Sequence, residues 1–360
     1  MTDILDLLRL VVGRGASDLH LKVPGPPVLR IHGALVPLEG APSMTPDITE
    51  SFFRAITTPE QRARFAEQRE LDLAYSVPGL ARFRVNVFRQ RGSIGLAIRA
   101  VPLALRRIDE LGLPDICRRL ALLPRGLVLV TGPSGSGKST TLAAMVDYLN
   151  DRETRHVVTV EDPIEFLHRD KRCVIAQREV GEDTHSFAAA LRHVLRQDPD
   201  VILVGEMRDL ETIAIAVTAA ETGHLVLATL HTTSAHQTID RIVDVFPAGQ
   251  QEQIRAQLAL TLEAVITQAL LPTADGTGRV AACEVLIGTA AVRNLIREGK
   301  TFQIPSTMQV SGQAGMQTLA QSLVQLVRGR AITRETALSH CSNPEELGRL
   351  LSSDFTIVRG

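Results

Sequence analysis

The sequence predicts an α/β protein: a parallel sheet flanked by helices, preceded by a smaller α+β domain and followed by a helical region. Three observations point to it. Short runs rich in Val and Leu, at Gly126–Thr131, His156–Val160, Val201–Val204 and Leu225–Thr229, alternate with helical patterns, as buried parallel strands and their crossovers do. A glycine-rich loop follows the first of these runs directly. Pro and Gly clusters divide the 360 residues into three parts, read here as domains 1–105, 106–288 and 289–360.

The first part opens on an amphipathic helix carrying Ile4, Leu7, Leu8 and Val11, followed by alternating segments at Asp18–Lys22, Val28–His32 and Arg82–Val87. Between Leu73 and Ile108 there is no acid, but Arg82, Arg84, Arg89, Arg91, Arg99, Arg106 and Arg107 are all present. A turn at Arg91-Gly92 would fold Arg82–Val87 against Ser93–Val101. If Gln90 pairs with Ser93, Arg84 faces Arg99, with Phe83, Val85, Ile98 and Ala100 on the other face. Like charges set opposite each other ask for an anion between them, and guanidinium groups suit phosphate. The anion could be a nucleotide held by a neighbouring subunit, which makes Arg84 and Arg99 candidate arginine fingers; the plainer alternative is a solvated edge hairpin.

Bulk numbers exclude several classes. A net charge of −1 gives no field for gripping nucleic acid, and there is no Trp and only two Tyr for base stacking. No apolar run approaches the ~20 residues needed to cross a bilayer. The N-terminus carries Asp3 and Asp6 where a secretory signal needs basic residues, so a cytoplasmic protein is expected. The four cysteines, Cys117, Cys173, Cys283 and Cys341, form no CxxC pair and read as buried thiols.

The loop Gly132-Pro133-Ser134-Gly135-Ser136-Gly137-Lys138-Ser139 fits GxxxxGK[ST], between a strand and a helix running to about Leu149. Its N–H groups and the helix N-terminus suit the phosphates of ATP, so Ser134, Gly135, Ser136, Gly137, Lys138, Ser139 and Thr140 are the expected nucleotide-binding residues. Lys138 should reach the β- and γ-phosphates, and Ser139 should offer its hydroxyl to Mg²⁺.

Carboxylates come from the ends of the next strands. His156–Val160 runs into Glu161-Asp162-Pro163-Ile164-Glu165, and Val201–Val204 into Gly205-Glu206. The second resembles a Walker B strand, but Gly205 stands where many P-loop enzymes have a metal-linked Asp, so Glu161, Asp162 and Glu165 are the candidate metal-side donors. For Asp162, a turn role before Pro163 competes with the metal role. Glu206 and Glu165 are the two candidates for activating water; Glu206, expected on a strand beside the loop strand, looks better held. The fourth strand delivers His231, which could sense the γ-phosphate or be purely structural. His224, before the strand, reads as structural or interfacial.

The last part turns helical after Gly288, with Asn343-Pro344-Glu345-Glu346 as an N-cap, a first-turn proline and helix-start acids.

Together the runs Ala16-Ser17-Asp18-Leu19-His20-Leu21 and Arg82-Phe83-Arg84-Val85-Asn86, the phosphate loop, Glu161–Glu165, Gly205–Asp209 and Thr229–Ser234 resemble the PilT-like type IV pilus retraction ATPases of the secretion ATPase superfamily. The likeness spans nearly the whole chain. It implies a PAS-like N-terminal domain and a RecA-like core in hexameric rings, with ATP sites between subunits. It implies a cytoplasmic motor, peripheral at the inner membrane, that drives pilus disassembly through a platform protein. By the same resemblance Glu165 and Glu206 match catalytic acids, His231 the histidine box, and Arg84 with Arg99 the inter-subunit arginines. Ala291-Val292-Arg293-Asn294-Leu295 resembles a C-terminal motif linked to retraction, with an ordinary amphipathic helix as the alternative. Assembly and secretion relatives usually carry an extra N-terminal domain and a four-cysteine metal insertion, and neither is found in this sequence, which favours retraction. A competing reading is an accessory, PilU-like ring protein that binds ATP and a paralogous motor.

Overall fold

The computed structural model describes residues 3–31, 33–101, 105–341 and 343–352. By contact the chain forms two compact units, Met1–Ala104 with Glu165–Leu167, and Leu105–Ile164 with His168–Gly360.

In the first unit, helix Ile4–Gly13 buries Ile4, Leu7, Leu8 and Val11, the stripe its spacing predicts. Six strands follow: β1 (Asp18–Leu21), β2 (Val28–Ile31), β3 (Ala34–Pro37), β4 (Glu70–Val77), β5 (Ala81–Gln90) and β6 (Ser93–Val101). They form an antiparallel sheet in the order β3-β2-β1-β6-β5-β4. His32, expected to end the second strand, lies outside the described residues. Helices Pro46–Ile56 and Pro59–Gln68 each start on a threonine cap followed by proline, and their Phe53 and Phe65 join Leu19, Phe83, Leu96 and Ile98 in the core.

The β5–β6 hairpin has the expected register: Gln90 faces Ser93 and Arg84 faces Arg99. Both turn residues have positive φ, 47° at Arg91 and 80° at Gly92, the conformation that matches strand twist in a two-residue loop.

The second unit holds β7 (Gly126–Thr131), β8 (His156–Glu161), β9 (Val174–Glu179), β10 (Val201–Val204), β11 (Leu225–Leu230), β12 (Leu262–Pro272) and β13 (Arg279–Ile287). Their order is β13-β12-β7-β11-β10-β8-β9, and every pair is parallel except β12 with β13. Successive side chains of β7 enter opposite cores: Leu127 and Leu129 one layer, Val128 and Val130 the other. That two-sided burial is why these strands read as unbroken apolar runs rather than alternating ones.

Two sequence expectations need correction. The Glu206 strand, β10, is not beside the loop strand; β11 lies between them. Strands β12 and β13 were not foreseen, because helix Gln251–Thr261 passes straight into β12 with no Gly or Pro at the junction.

After residue 288 the described chain is helical, and Asn343 Oδ1 accepts from the Glu346 N–H as an N-cap should. Leu323, Val324, Ile332, Ala337 and Leu347 pack against Leu271 of β12 and Ala282 of β13. These helices cover a strand pair of the sheet. Cys117, Cys173 and Cys283 are buried as expected, while Cys341 is half-buried with its thiol donating to the Asn343 carbonyl.

Candidate active site

Parallel strands leave their carboxyl ends at one edge, where the next loops converge. Strand β7 there runs into the phosphate loop, β10 into Gly205-Glu206, and β11 into His231.

The loop needs glycine for space at one position. Gly132 has φ 138°, and a Cβ on it would lie 2.4 Å from the Gln268 carbonyl oxygen and 2.6 Å from Ser136 Oγ. Gly137, with φ 92°, turns the chain into helix Lys138–Asn150. Lys138 Nζ donates to the Gly132 and Pro133 carbonyls at 2.9 and 3.1 Å, which folds the loop around the ammonium. Ser136 Oγ is buried without a hydrogen-bond partner among the described residues, an orphaned group inside an anion cradle.

Lys138, His231 and Glu206 meet. Lys138 Nζ lies 3.4 Å from His231 Nδ1, and His231 Nε2 lies 3.0 Å from Glu206 Oε1. An ammonium can only donate, so Nδ1 accepts and the ring proton sits on Nε2, pointing at the carboxylate. Arg208 completes the clamp, with Nε 2.6 Å from Glu206 Oε1 and a second nitrogen 2.7 Å from Oε2. Desolvation, the largest single influence, pushes the Glu206 carboxyl up, but the hydrogen bonds and charges of Arg208 and His231 together outweigh it and hold the pKa below the usual value. Glu206 is therefore an ionised acceptor at neutral pH.

The glycine in place of a Walker B aspartate has a steric reason. Gly205 N–H bonds the Val160 carbonyl at 2.8 Å, and a Cβ there would meet that oxygen at 3.1 Å and Glu161 Cα at 3.2 Å. The backbone of β8 closes the position. Glu161, on β8 itself, is fixed by Thr159 Oγ1 at 2.7 Å and Gln177 Nε2 at 3.2 Å. Asp162 is exposed. Ser139, Glu161 and Asp162 offer only oxygen donors, the chemistry Mg²⁺ prefers, and Mg²⁺ at nucleotide sites takes few protein ligands beside phosphate oxygens and water. No cluster of three or more His, Cys, Asp or Glu suited to a metal occurs among the described residues.

Glu165 is exposed and groups by contact with the first unit. Asp209, in the same box as Glu206, caps helix Leu210–Glu221 by accepting from Thr212 N and Oγ1. His224 Nδ1 lies 3.0 Å from the Ala219 carbonyl. The sequence did not single out Arg208, which lies two residues after Glu206 in the loop beyond β10.

The first unit carries its own charged row. Across β5, β6, β1 and β2 the register aligns Arg84, Arg99, Asp18 and Arg30. Asp18 Oδ1 accepts from Arg99 Nε at 2.7 Å, and Arg30 Nε lies 3.8 Å from Oδ2. Part of the anion that the facing arginines called for is thus inside the chain. Arg84 is exposed and makes no ion pair among the described residues.

Residues 82–353 match the family described as Type II/IV secretion system protein. The chain is 51% identical over 343 residues to the type IV pilus retraction ATPase PilT of Pseudomonas aeruginosa, covering 95% of this chain and 99% of that protein. It is 44% identical over 341 residues to the type IV pilus ATPase PilU of the same organism, covering 95% and 89%. A crystal structure of the pilus retraction motor PilT with bound ADP superposes with a TM-score of 0.91 at 48% identity, covering 97% of this chain and all of that one.

Proposed function

This chain belongs to the type II/IV secretion system protein family, and we propose that within it the chain is a hexameric ATPase motor that drives type IV pilus retraction. The observation that carries this is the meeting of Lys138, His231 and Glu206 beside a complete phosphate loop. The loop N–H groups and Lys138 bind the triphosphate. Ser139, with Glu161 or Asp162, would hold Mg²⁺, which would neutralise charge on the β- and γ-oxygens. Glu206, ionised and oriented by His231 and Arg208, takes the proton of the attacking water. Glu165 is the second candidate for that step. Arg84, at the end of its charged row and without an ion pair among the described residues, supplies the guanidinium for the site of a neighbouring protomer, and Arg99 holds the row through Asp18.

Domains 1–105, 106–288 and 289–360 correspond in this reading to a PAS-like module, a RecA-like core and a helical C-terminal domain. No helix among the described residues is long and apolar enough to cross a membrane. We place the ring in the cytoplasm, held at the inner membrane by a pilus platform protein and able to work with a paralogous retraction ATPase. The higher identity to PilT than to PilU favours the main motor over an accessory one.

Lys138→Ala should abolish both nucleotide binding and turnover, whereas Glu206→Gln should bind ATP and fail to hydrolyse it. Steady-state phosphate release and equilibrium nucleotide binding on the full chain separate the two. Full turnover by Glu206→Gln would move the water-activating role to Glu165; binding without turnover by the unaltered chain would favour the accessory reading.

A further inference from the structure

A polar row crosses the second sheet behind the site. Thr131, the last residue before the phosphate loop, pairs in register with Thr267 of β12, which pairs with Glu284 of β13. Thr131 Oγ1 and Thr267 Oγ1 lie 2.8 Å apart. At the far end Glu284 Oε1 accepts from the Ala235 N–H at 2.7 Å.

Ala235 opens helix Ala235–Asp244, the element that follows the His231 loop. Ser234 at its N-cap makes no side-chain capping bond, so the carboxylate from β13 takes an N–H that the local sequence leaves open. Loop and helix are tied as one piece: Thr232 Oγ1 lies 2.7 Å from Thr238 Oγ1, which donates to the Ser234 carbonyl at 2.8 Å. A hold on Ala235 is therefore a hold on His231.

We propose that Glu284 is a positioning residue for ATP hydrolysis, fixing the His231 loop against the sheet so that the imidazole meets Glu206. The inference rests on the ATPase reading above. Burial is the main influence on the Glu284 carboxyl and raises its pKa; the backbone N–H of Ala235, the charge of His236 and the backbone N–H of Leu319 oppose it, and Glu346 adds to the rise. The Ala235 N–H donates to Glu284 Oε1, so the place requires an acceptor there. Glutamine keeps one acceptor oxygen but loses the charge.

The test is a double-mutant cycle on the full chain, reading kcat and KM for ATP by phosphate release. Glu284→Ala should lower kcat about tenfold and Glu284→Gln about threefold, with KM changed less than about twofold, because His231 touches the carboxylate that acts on water. In a His231→Ala background both losses should vanish. Equal losses in the two backgrounds, or wild-type kcat in Glu284→Ala, would overturn the proposal. Should Glu284→Ala fail to fold, the Glu284→Gln cycle decides alone, with a loss that persists without His231, or no loss at all, counting against it. An unaltered chain that does not hydrolyse ATP would instead defeat the underlying functional reading.

Discussion

Glu206 holds its charge between two unlike donors, an exposed guanidinium and an imidazole that itself accepts from Lys138. Its folded-state pKa is lowered, so the ionised form is complete above the ordinary carboxylate value and is lost only as pH falls through the depressed one. Of the groups that lower it, Arg208 has the largest influence. Arg208→Ala should therefore move the acid limb of the kcat profile to higher pH, and an unmoved limb would mean that Arg208 does not act on this carboxylate. Lys138, His231 and Glu206 were legible in the sequence because each ends a strand or loop with a recognisable pattern. Partners fixed by tertiary register were not. That Asp18 answers Arg99 follows from β1 lying beside β6, with more than seventy residues between them in the chain.

The elements carry their own tests. Arg91 adopts φ 47° in the two-residue turn of the β5–β6 hairpin, a conformation that strains a residue with a Cβ and suits Asn before Gly. Arg91→Asn should stabilise the chain by up to about 1 kcal/mol, read as a raised melting temperature. That hairpin was predictable to the residue because turn type and strand alternation agree. The β12–β13 pair was not, since a helix flows into β12 without punctuation. The same region explains the Ala291–Leu295 motif in part: Val292 is buried, and Arg293 donates to the Gly288, Ala259 and Leu260 carbonyls and to Glu263 at 2.7 to 2.9 Å. Arg293 thus satisfies the open end of helix Gln251–Thr261. Arg293→Ala should cost about 2 kcal/mol in denaturant unfolding, by stranding those carbonyls; a neutral effect would leave the arginine free for another role.

At the scale of the whole molecule, the two units differ in chemistry. One carries a phosphate loop with an ionised carboxylate at a sheet edge, and the other an exposed Arg84 at the end of a charged row. Arg84→Ala should leave melting unchanged while lowering turnover of the assembled protein. If the arginine of one protomer serves the nucleotide of the next, a dissociated protomer is an incomplete enzyme. The direct measurement is ATP turnover per protomer against protein concentration, with the oligomeric state followed in the same samples. Specific activity should fall as the proposed ring dissociates on dilution; activity that stays constant into the monomer range would contradict a site shared between subunits.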